Sequence, residues 1–480
     1  MRTLACALAV AALLGGCIDL APTYRRPANP APARFPRGPA YAPPPTADLA
    51  PVGWQDFFAD PKLKRVIAEA LANNRDLRIA AANIAATRAQ FHVQRAALFP
   101  TLAANATATY GQEPASVASG GGAPGQSRAV NQRLYSLTAG VSAWQLDFFG
   151  KIRNQTKAAQ EQYFASREAR DEAQLVLVDE VATDYLTLAS DRTLLAIAQE
   201  TLKSGQASLD LTHARLNSGV ASGLDVSQAQ TIIEQARYDV AHLTTQTAQD
   251  RNALELIVGA PVADADLPPA LDGEVVVIDR LPAAVSSAVL LRRPDVLQAE
   301  AVLRGANANI GAARANFFPQ VSLTGSGGLT SLALSSLFKG ASATWSFIPQ
   351  VSQTIFDFGA NKGNLDYAKA QRDLDVAQYE KAIETAFREV ADALAQRGTI
   401  DEQVAAQTGL ADAARQYLGL AEARYQRGAD TYLNVLIAQR SYYAAQQTLV
   451  GARLAKSLNL VTLYGVLGGG LDAPTASRGS

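Results

Sequence analysis

Side chains that commonly catalyse reactions or bind metals are scarce in this chain. The three histidines, His92, His213 and His242, fall on separate predicted helices, without the spacing of a metal site. The sequence contains no glycine-rich phosphate loop and no strained nucleophile turn. We therefore expect no enzymatic activity, no metal and no cofactor. The residue whose position indicates covalent chemistry is Cys17.

Cys17 follows a short export signal. A charged residue precedes an apolar run from Leu4 to Leu14, which is too short for a permanent membrane helix. The sequence Leu14-Gly15-Gly16-Cys17 resembles the bacterial lipoprotein signal, which implies removal of residues 1–16 and acylation of the Cys17 thiol. The alternative is an ordinary signal peptide with a chance cysteine. Residue 18 is isoleucine and not the aspartate of an inner-membrane retention mark, so the outer membrane is the expected destination.

Composition limits the partners and the order of the N-terminal region. The 480 residues carry a net charge of −1, which lacks the basic surface that a nucleic-acid partner requires. Eleven prolines lie between Pro22 and Pro61. Because such a density opposes helices and strands, residues 17–59 are predicted to be an extended, lipid-anchored tether.

The rest of the chain is a tandem duplication. The segment from Ala214 to Gln230 returns from Ala423 to Gln439 at an offset of 209 residues, and Phe99-Pro100 returns as Phe318-Pro319 at an offset of 219. A duplication of this size predicts two equivalent halves. The predicted divisions are a first repeat at 60–259, a linker at 260–280, a second repeat at 281–467 and a flexible tail at 468–480.

Each repeat contains one long stretch without proline, Lys151–Ser218 or Ala360–Arg427, with the apolar spacing of an amphipathic helix. As one helix, each would extend about 100 Å. Glycines inside both stretches predict kinks or breaks, so that each consists of two stacked helices. These glycines are Gly205 in the first copy and Gly398, Gly409 and Gly419 in the second.

Each long helix is predicted to end in a tight helical hairpin. Gly219 and Gly428 suit the left-handed residue that closes a helix, and Ser222 and Thr431 suit the N-cap of the returning helix. Capping chemistry alone accounts for these residues, and a specialised functional tip is the alternative.

Two hairpins of strands precede the long helices, at 101–149 and 320–358, where apolar residues alternate with small uncharged polar residues. Strands of about ten residues cross a bilayer when tilted. Four strands cannot close a barrel, and a free edge would leave backbone groups unpaired in hydrocarbon, so the chain must associate with copies of itself. A soluble β-sandwich hairpin is the alternative.

In order and in both copies, these features resemble the TolC-like outer-membrane efflux channels, in their NodT-like lipoprotein branch. The predicted fold class is mainly α with a membrane β-barrel part, in duplicated αββα halves. The resemblance implies a trimer with a 12-stranded outer-membrane β-barrel continued by a 12-helix periplasmic α-barrel. The matching residues are Arg293-Pro294-Asp295, Phe317-Phe318-Pro319, Ile355–Gly359, Ala423-Arg424-Tyr425, Gly428, Ala438-Gln439-Arg440, Leu463-Tyr464 and Gly468-Gly469-Gly470.

The function implied by the resemblance is a conduit that exports small molecules, such as drugs and toxic compounds, from a tripartite efflux pump. The implied partners are a periplasmic adaptor protein and an inner-membrane RND-type pump, with the chain in the cell outer membrane and extending into the periplasm. One alternative is the outer-membrane conduit of a type I protein-secretion system. Another is a structural lipoprotein without a pore, but such a spacer requires neither uncharged strands nor duplicated hairpins.

The resemblance also implies a gate at the helical tips. Leu433 matches a constricting apolar residue, and Arg440 matches a basic gating residue. Efflux members of the family usually carry an acidic residue one turn before this arginine, where the present chain has Ile437. We therefore expect closure to depend on apolar packing, and we consider Asp225 and Asp430 as other sources of a carboxylate.

Overall fold

The computed structural model describes residues 18–41, 53–113, 130–271 and 287–469. The predicted signal at 1–16 and Cys17 lie outside the described residues, as do parts of the tether, linker and tail. Among the described residues, no helix has the length and hydrophobicity needed to cross a membrane. The main elements are α1 (Trp54–Phe57), α2 (Pro61–Asn73), α3 (Arg75–Ala96), β1 (Leu102–Glu113), β2 (Val130–Leu146), α4 (Lys151–Asn217), α5 (Gly223–Val258), α6 (Pro294–Ala315), β3 (Gln320–Ser331), β4 (Ala343–Ser352), α7 (Ala360–Gln426) and α8 (Tyr432–Val466).

The element order confirms a duplicated helix–strand–strand–helix arrangement, and the chain divides into two compact units. The first unit contains a four-stranded antiparallel sheet in the order β1-β2-β3-β4. The strands β2 and β3 join the two copies, and β1 and β4 lie at the edges. Each edge strand therefore has one pairing partner within the described chain.

The two faces of the sheet differ in chemistry, as period-two alternation predicts. One face carries hydroxyl groups that bond across the strands: the Thr107 and Ser136 hydroxyls are 2.5 Å apart, and those of Ser326 and Ser346 are 2.8 Å apart. The other face carries paired apolar side chains, such as Leu137 opposite Leu329. A sheet with one apolar face and one hydroxyl-lined face is suited to separate hydrocarbon from water.

The helices α4 and α7 are unbroken over 67 residues each, so the prediction that each stretch consists of two stacked helices is wrong. A glycine costs about 1 kcal/mol in a helix, and packing along such a helix overrides it. At Gly205 the missing side chain is useful, since an added Cβ would lie 3.2 Å from Cγ1 of Ile233 on α5. At Gly409 and Gly419 the space is open, so these residues weaken the helix without ending it.

The second unit has its hydrophobic core around the middle of α4 and the ends of α5 and α8. Phe57 of α1 stacks on Tyr464 with ring centroids 4.0 Å apart, and both side chains are buried. The prediction that residues 17–59 form neither helix nor strand is therefore wrong at α1. No proline interrupts Trp54–Phe57, and the aromatic contacts stabilise this single turn.

Residues 18–27, which we name the strap, are extended as predicted, but they are fixed to the body of the first unit. Arg26 donates two hydrogen bonds to Glu300, of 2.9 and 2.6 Å, and Tyr24 donates a third, of 3.1 Å. This part of the predicted tether therefore runs along the first unit and is hydrogen-bonded to it. Further bonds run from the Ile18 amide to the Phe148 carbonyl, from Asn154 to Asp19, from Arg314 to the Leu20 carbonyl and from Asn307 to the Pro22 carbonyl.

Both copies contain an equivalent hydrogen bond, which we name the clamp, from a side chain to a carbonyl at the end of the last helix of the copy. Asn74 Nδ2 donates to the Ile257 carbonyl at the end of α5, at 2.7 Å, and Arg293 Nη1 donates to the Val466 carbonyl at the end of α8, at 2.9 Å. The donors are equivalent at the offset of 219 and the acceptors at the offset of 209. Because the last carbonyls of a helix lack partners within it, the clamp satisfies a group that burial would otherwise leave unpaired.

We expect Asn74→Ala to lower the melting temperature of the purified protein in detergent. The substitution leaves the Ile257 carbonyl and the Leu77 amide, which also bonds to Asn74, without partners, at about 1–3 kcal/mol for each buried group. Asn73→Ala is the matched control, since Asn73 Nδ2 donates to the Glu69 carbonyl of its own helix. Equal melting temperatures of the two variants would contradict the clamp.

Candidate functional site

The two helical-hairpin turns have the same backbone geometry. Gly219 and Gly428 adopt left-handed φ values of 71° and 72°. After each glycine the chain bonds back to the helix, from the Val220 amide to Arg215 and from the Ala429 amide to Arg424, both at 2.9 Å. No atom lies within 4 Å of a Cβ built on either glycine, so the backbone conformation is what requires glycine there.

The N-caps of the returning helices differ between the copies. Ser222 forms a reciprocal capping box with Asp225, as the capping pattern predicts. Thr431 occupies the N-cap of α8, but its side chain makes no capping bond, so the expectation of a side-chain cap is wrong there. The carboxylate of the neighbouring Asp430 lies at the start of α8 instead. It accepts hydrogen bonds from the Thr431 amide at 2.8 Å and from Asn434 Nδ2 at 2.5 Å.

Asp430 also pairs with Arg424, whose Nε lies 3.1 Å from its carboxylate. The hydrogen bond from Asn434, then that from the Thr431 amide and then Arg424 hold the pKa of Asp430 below its usual value. Both carboxylates proposed as partners of Arg440 are thus engaged locally, Asp225 in its capping box and Asp430 in the turn.

Arg440 instead contacts the equivalent residue of the first copy. Its Nη2 donates to the Thr231 hydroxyl at 2.8 Å, and the two residues are 209 apart. Across the described residues, no carboxylate lies within ion-pairing distance of Arg440. The partner of this arginine within one chain is therefore a neutral acceptor on the neighbouring helix.

Leu433 and Ile437 are exposed on the same face of α8 as Arg440, at positions i, i+4 and i+7. Leu224, at the position of Leu433 in the first hairpin, is also exposed. Sequence reasoning missed Leu224 and Thr231, although the 209-residue offset pointed to both. The predicted gate residues thus form an exposed, mostly apolar face near the turns, with Arg440 bonded to Thr231.

The opposite face of the hairpins is packed. The rings of Tyr425 and Tyr432 lie 5.4 Å apart, the Arg215 guanidinium lies 4.2 Å from the Tyr425 ring, and Tyr432 shares a hydrogen bond with Ser208. Farther along, Tyr443 donates to Asp239 at 2.7 Å. Burial, followed by this bond to a carboxylate, raises the pKa of Tyr443. These contacts hold the two hairpins together, while Leu433 and Ile437 remain exposed.

The structure describes His92, His213 and His242 on three different helices, α3, α4 and α5. Within the described ranges there is no group of three or more histidine, cysteine, aspartate or glutamate residues that could hold a metal ion. The site consists of surfaces and turns, and it has the parts of a conduit: a sheet with two chemically distinct faces and long helical hairpins with exposed apolar tips.

Comparison with known proteins identifies the family of this chain. The family model described as outer membrane efflux protein matches residues 66–260 and 285–469, one stretch in each copy. The chain belongs to this family.

Relatives and solved structures agree with this assignment. The chain is 46% identical over 466 residues to the toluene efflux pump outer membrane protein TtgC of Pseudomonas putida, covering 96% of this chain and 95% of the relative. It is 38% identical over 459 residues to the probable outer membrane lipoprotein SilC of Salmonella typhimurium, covering 95% and 96%. The open state of the Neisseria gonorrhoeae MtrE outer membrane channel superposes with a TM-score of 0.84 at 36% identity, covering 94% of this chain and 98% of that one.

Proposed function

We propose that the chain is the outer-membrane channel subunit of an efflux pump and exports small toxic molecules. The observation that carries the proposal is the sheet, which has an apolar face, an uncharged hydroxyl face and two free edges, joined to two equivalent helical hairpins. Three copies, each with four strands, give twelve strands, enough to close a barrel that four strands cannot close. The names of the relatives support small-molecule efflux over type I protein secretion.

The partners follow from this role. A conduit in the outer membrane has no source of energy of its own, so the proposal includes an inner-membrane RND-type pump and a periplasmic adaptor protein. The hairpin turns at Gly219 and Gly428 follow the ends of the long helices that are farther in sequence from the strands. This order supports the proposal that the turns face these partners.

The proposal is tested by deleting the gene in its host and measuring growth inhibition by toluene and by hydrophobic antibiotics. We expect the deletion to lower tolerance several-fold and the parent gene to restore it, because outward transport then has its outer-membrane exit again. Restored tolerance is the supporting result. Unchanged tolerance, together with loss of a secreted protein from the medium, would indicate protein secretion instead.

We also propose that Cys17 is the acylated mature N-terminus. The strap supports this, since the Ile18 amide bonds to the Phe148 carbonyl, just after β2. Residue 18, the first described residue, therefore lies next to the end of β2, where the proposal places the inner leaflet. Each buried methylene adds about 0.8 kcal/mol to membrane affinity. We expect mass spectrometry of the N-terminal peptide to show acyl chains on Cys17, and an unmodified Cys17 would refute the proposal.

We propose that Leu433 forms an apolar constriction at the tip and that Arg440 contributes less to closure. Apolar constrictions can gate by dewetting. The Arg440–Thr231 bond is exposed, so water competes for both groups and its net contribution to closure is small. Ile437 provides no carboxylate, so closure should depend weakly on salt.

We expect Leu433→Ala to raise single-channel conductance in planar bilayers more than Arg440→Ala does, and Thr231→Ala, the matched control, to resemble Arg440→Ala. Ile437→Asp places a carboxylate one turn before Arg440, where the two side chains can form an ion pair. The conductance of this variant, relative to that of the bulk electrolyte, should therefore fall and become sensitive to salt. Full opening by Arg440→Ala with no change in Leu433→Ala would show that the gate is electrostatic.

A further inference from the structure

The duplication places different polar side chains at one buried position of the two copies. Asp250 on α5 and Asn459 on α8 are equivalent at the offset of 209. The same offset relates Gly259 and Gly468, which follow these helices with left-handed φ values of 76° and 78°. Asp250 is 9% exposed and Asn459 is 1% exposed. The first copy therefore buries a carboxyl group where the second copy buries an amide.

In the second copy, the amide is a hydrogen-bond donor between two helices. Asn459 Nδ2 donates to the Ala393 carbonyl at 2.9 Å and to Gln396 Oε1 at 3.2 Å, and both acceptors belong to α7. An amide NH₂ group carries its donors at every pH at which the protein is folded. The contact between α7 and α8 at this level is therefore independent of the proton concentration.

In the first copy, the equivalent carboxyl group meets a second carboxyl group. Asp250 Oδ1 accepts from Gln246 Nε2 at 2.9 Å, and Asp250 Oδ2 has no donor. Asp191 of α4, whose counterpart in the second copy is Ile400, lies within hydrogen-bonding reach of Asp250. Two ionised carboxylates are acceptors only, and they repel each other. One proton between them supplies the missing donor and removes one of the two charges.

We propose that Asp191 and Asp250 share one proton and form a proton-dependent latch between α4 and α5. The latch corresponds to the bond of Asn459 between α7 and α8, with the shared proton in the place of the amide hydrogen. It makes the packing of the first helical hairpin depend on pH, whereas the second hairpin is held by a donor that is always present.

The latch forms at mildly acidic pH. Burial, then a hydrogen bond with Asp250 and then the charge of Asp250 raise the pKa of Asp191 from its ordinary value of 3.8 to about 6. Because folding favours the neutral form, the stabilisation is complete below the pKa of the unfolded chain and is lost as the pH rises through the folded value. The latch is therefore formed at pH 5 and absent at pH 8.

The acidic groups near the pair increase the need for a proton. Asp184 lies one helical level away on α4, and burial, followed by the charges of Glu180 and Asp250, raises the pKa of Asp184. Within the described residues, neither Asp191 nor Asp250 forms an ion pair with a lysine or an arginine. A second charge on the pair would therefore add to a region that is already negative and partly buried.

The basic groups around the pair do not take the place of the proton. His242 of α5 lowers the pKa of Asp191, but its side chain is exposed and stacks on the ring of Tyr238. Basic side chains of the segments packed against these helices bond elsewhere. Arg192 donates to the Pro268 carbonyl, Lys62 to the Leu267 carbonyl, and the ion pairs are Arg251 with Glu255 and Asp264, Arg65 with Asp266, and Lys456 with Asp401.

The test is hydrogen–deuterium exchange of the purified full-length protein in detergent at pH 5 and pH 8, with each rate divided by the intrinsic exchange rate at that pH. We expect the protection of the peptide around Asp250 to fall about tenfold between the two values, because a pKa of about 6 in place of 3.8 changes the opening equilibrium by about that factor. The peptide around Asn459 is an internal control and should keep its protection.

Three variants identify the groups responsible. Asp250→Asn gives the first copy the amide of the second and should remove most of the fall. Asp210→Asn is the matched control and should keep the fall, since Asp210 accepts from Gln206 at 3.0 Å with the same four-residue spacing but is exposed. His242→Gln should also keep it. A parent without pH dependence, a full fall in Asp250→Asn, or its loss in His242→Gln would each overturn the proposal.

The melting temperature in detergent is a second measurement, which does not depend on exchange in the core. Asp250→Asn keeps the size of the side chain and carries a permanent donor, so its melting temperature should exceed that of the parent at pH 8 and lose this advantage at pH 5. A variant that is less stable than the parent by the same amount at both pH values would show that the position needs a carboxyl group for another reason, and would overturn the proposal.

Discussion

A backbone N–H or C=O group without a partner in hydrocarbon costs several kcal/mol, and this penalty shapes the whole chain. The sheet has four strands, so β1 and β4 each keep a free edge. No rearrangement within one chain removes both edges, because a barrel needs about eight strands or more. The apolar face and the hydroxyl face are both consistent with closure by copies of the same chain.

Duplication supplies the parts for this closure, and departures from exact duplication give each part its role. Asn74 and Arg293 clamp equivalent carbonyls with different side chains, so the architecture is kept while the chemistry changes. Glu300 binds the strap, whereas the equivalent position of the first copy is Ala81, which has no carboxylate. The second copy can thus hold the N-terminal segment of the same chain.

The hairpin tips show the same division between shared geometry and individual chemistry. Both turns use a left-handed glycine, yet one N-cap is a serine with a capping box and the other depends on Asp430. Asp430 and Asp225 are engaged in the turns, and Arg440 bonds to the Thr231 hydroxyl. The tip is held by caps and by buried tyrosines, and its exposed face remains apolar.

The sequence by itself determined the features that depend on near neighbours. Strand alternation, the long helices, the glycine turns and the duplication follow from patterns within a few residues or from a constant offset, and the family resemblance rested on them. The tertiary structure decided what depends on distant contacts. The helices continue through Gly205 and Gly409 because packing along 67 residues outweighs a local cost. The strap is held by Glu300, and Arg440 meets Thr231, across separations of 274 and 209 residues. The offset identifies Thr231 as the counterpart of Arg440, but whether two such residues touch depends on which surfaces the fold brings together.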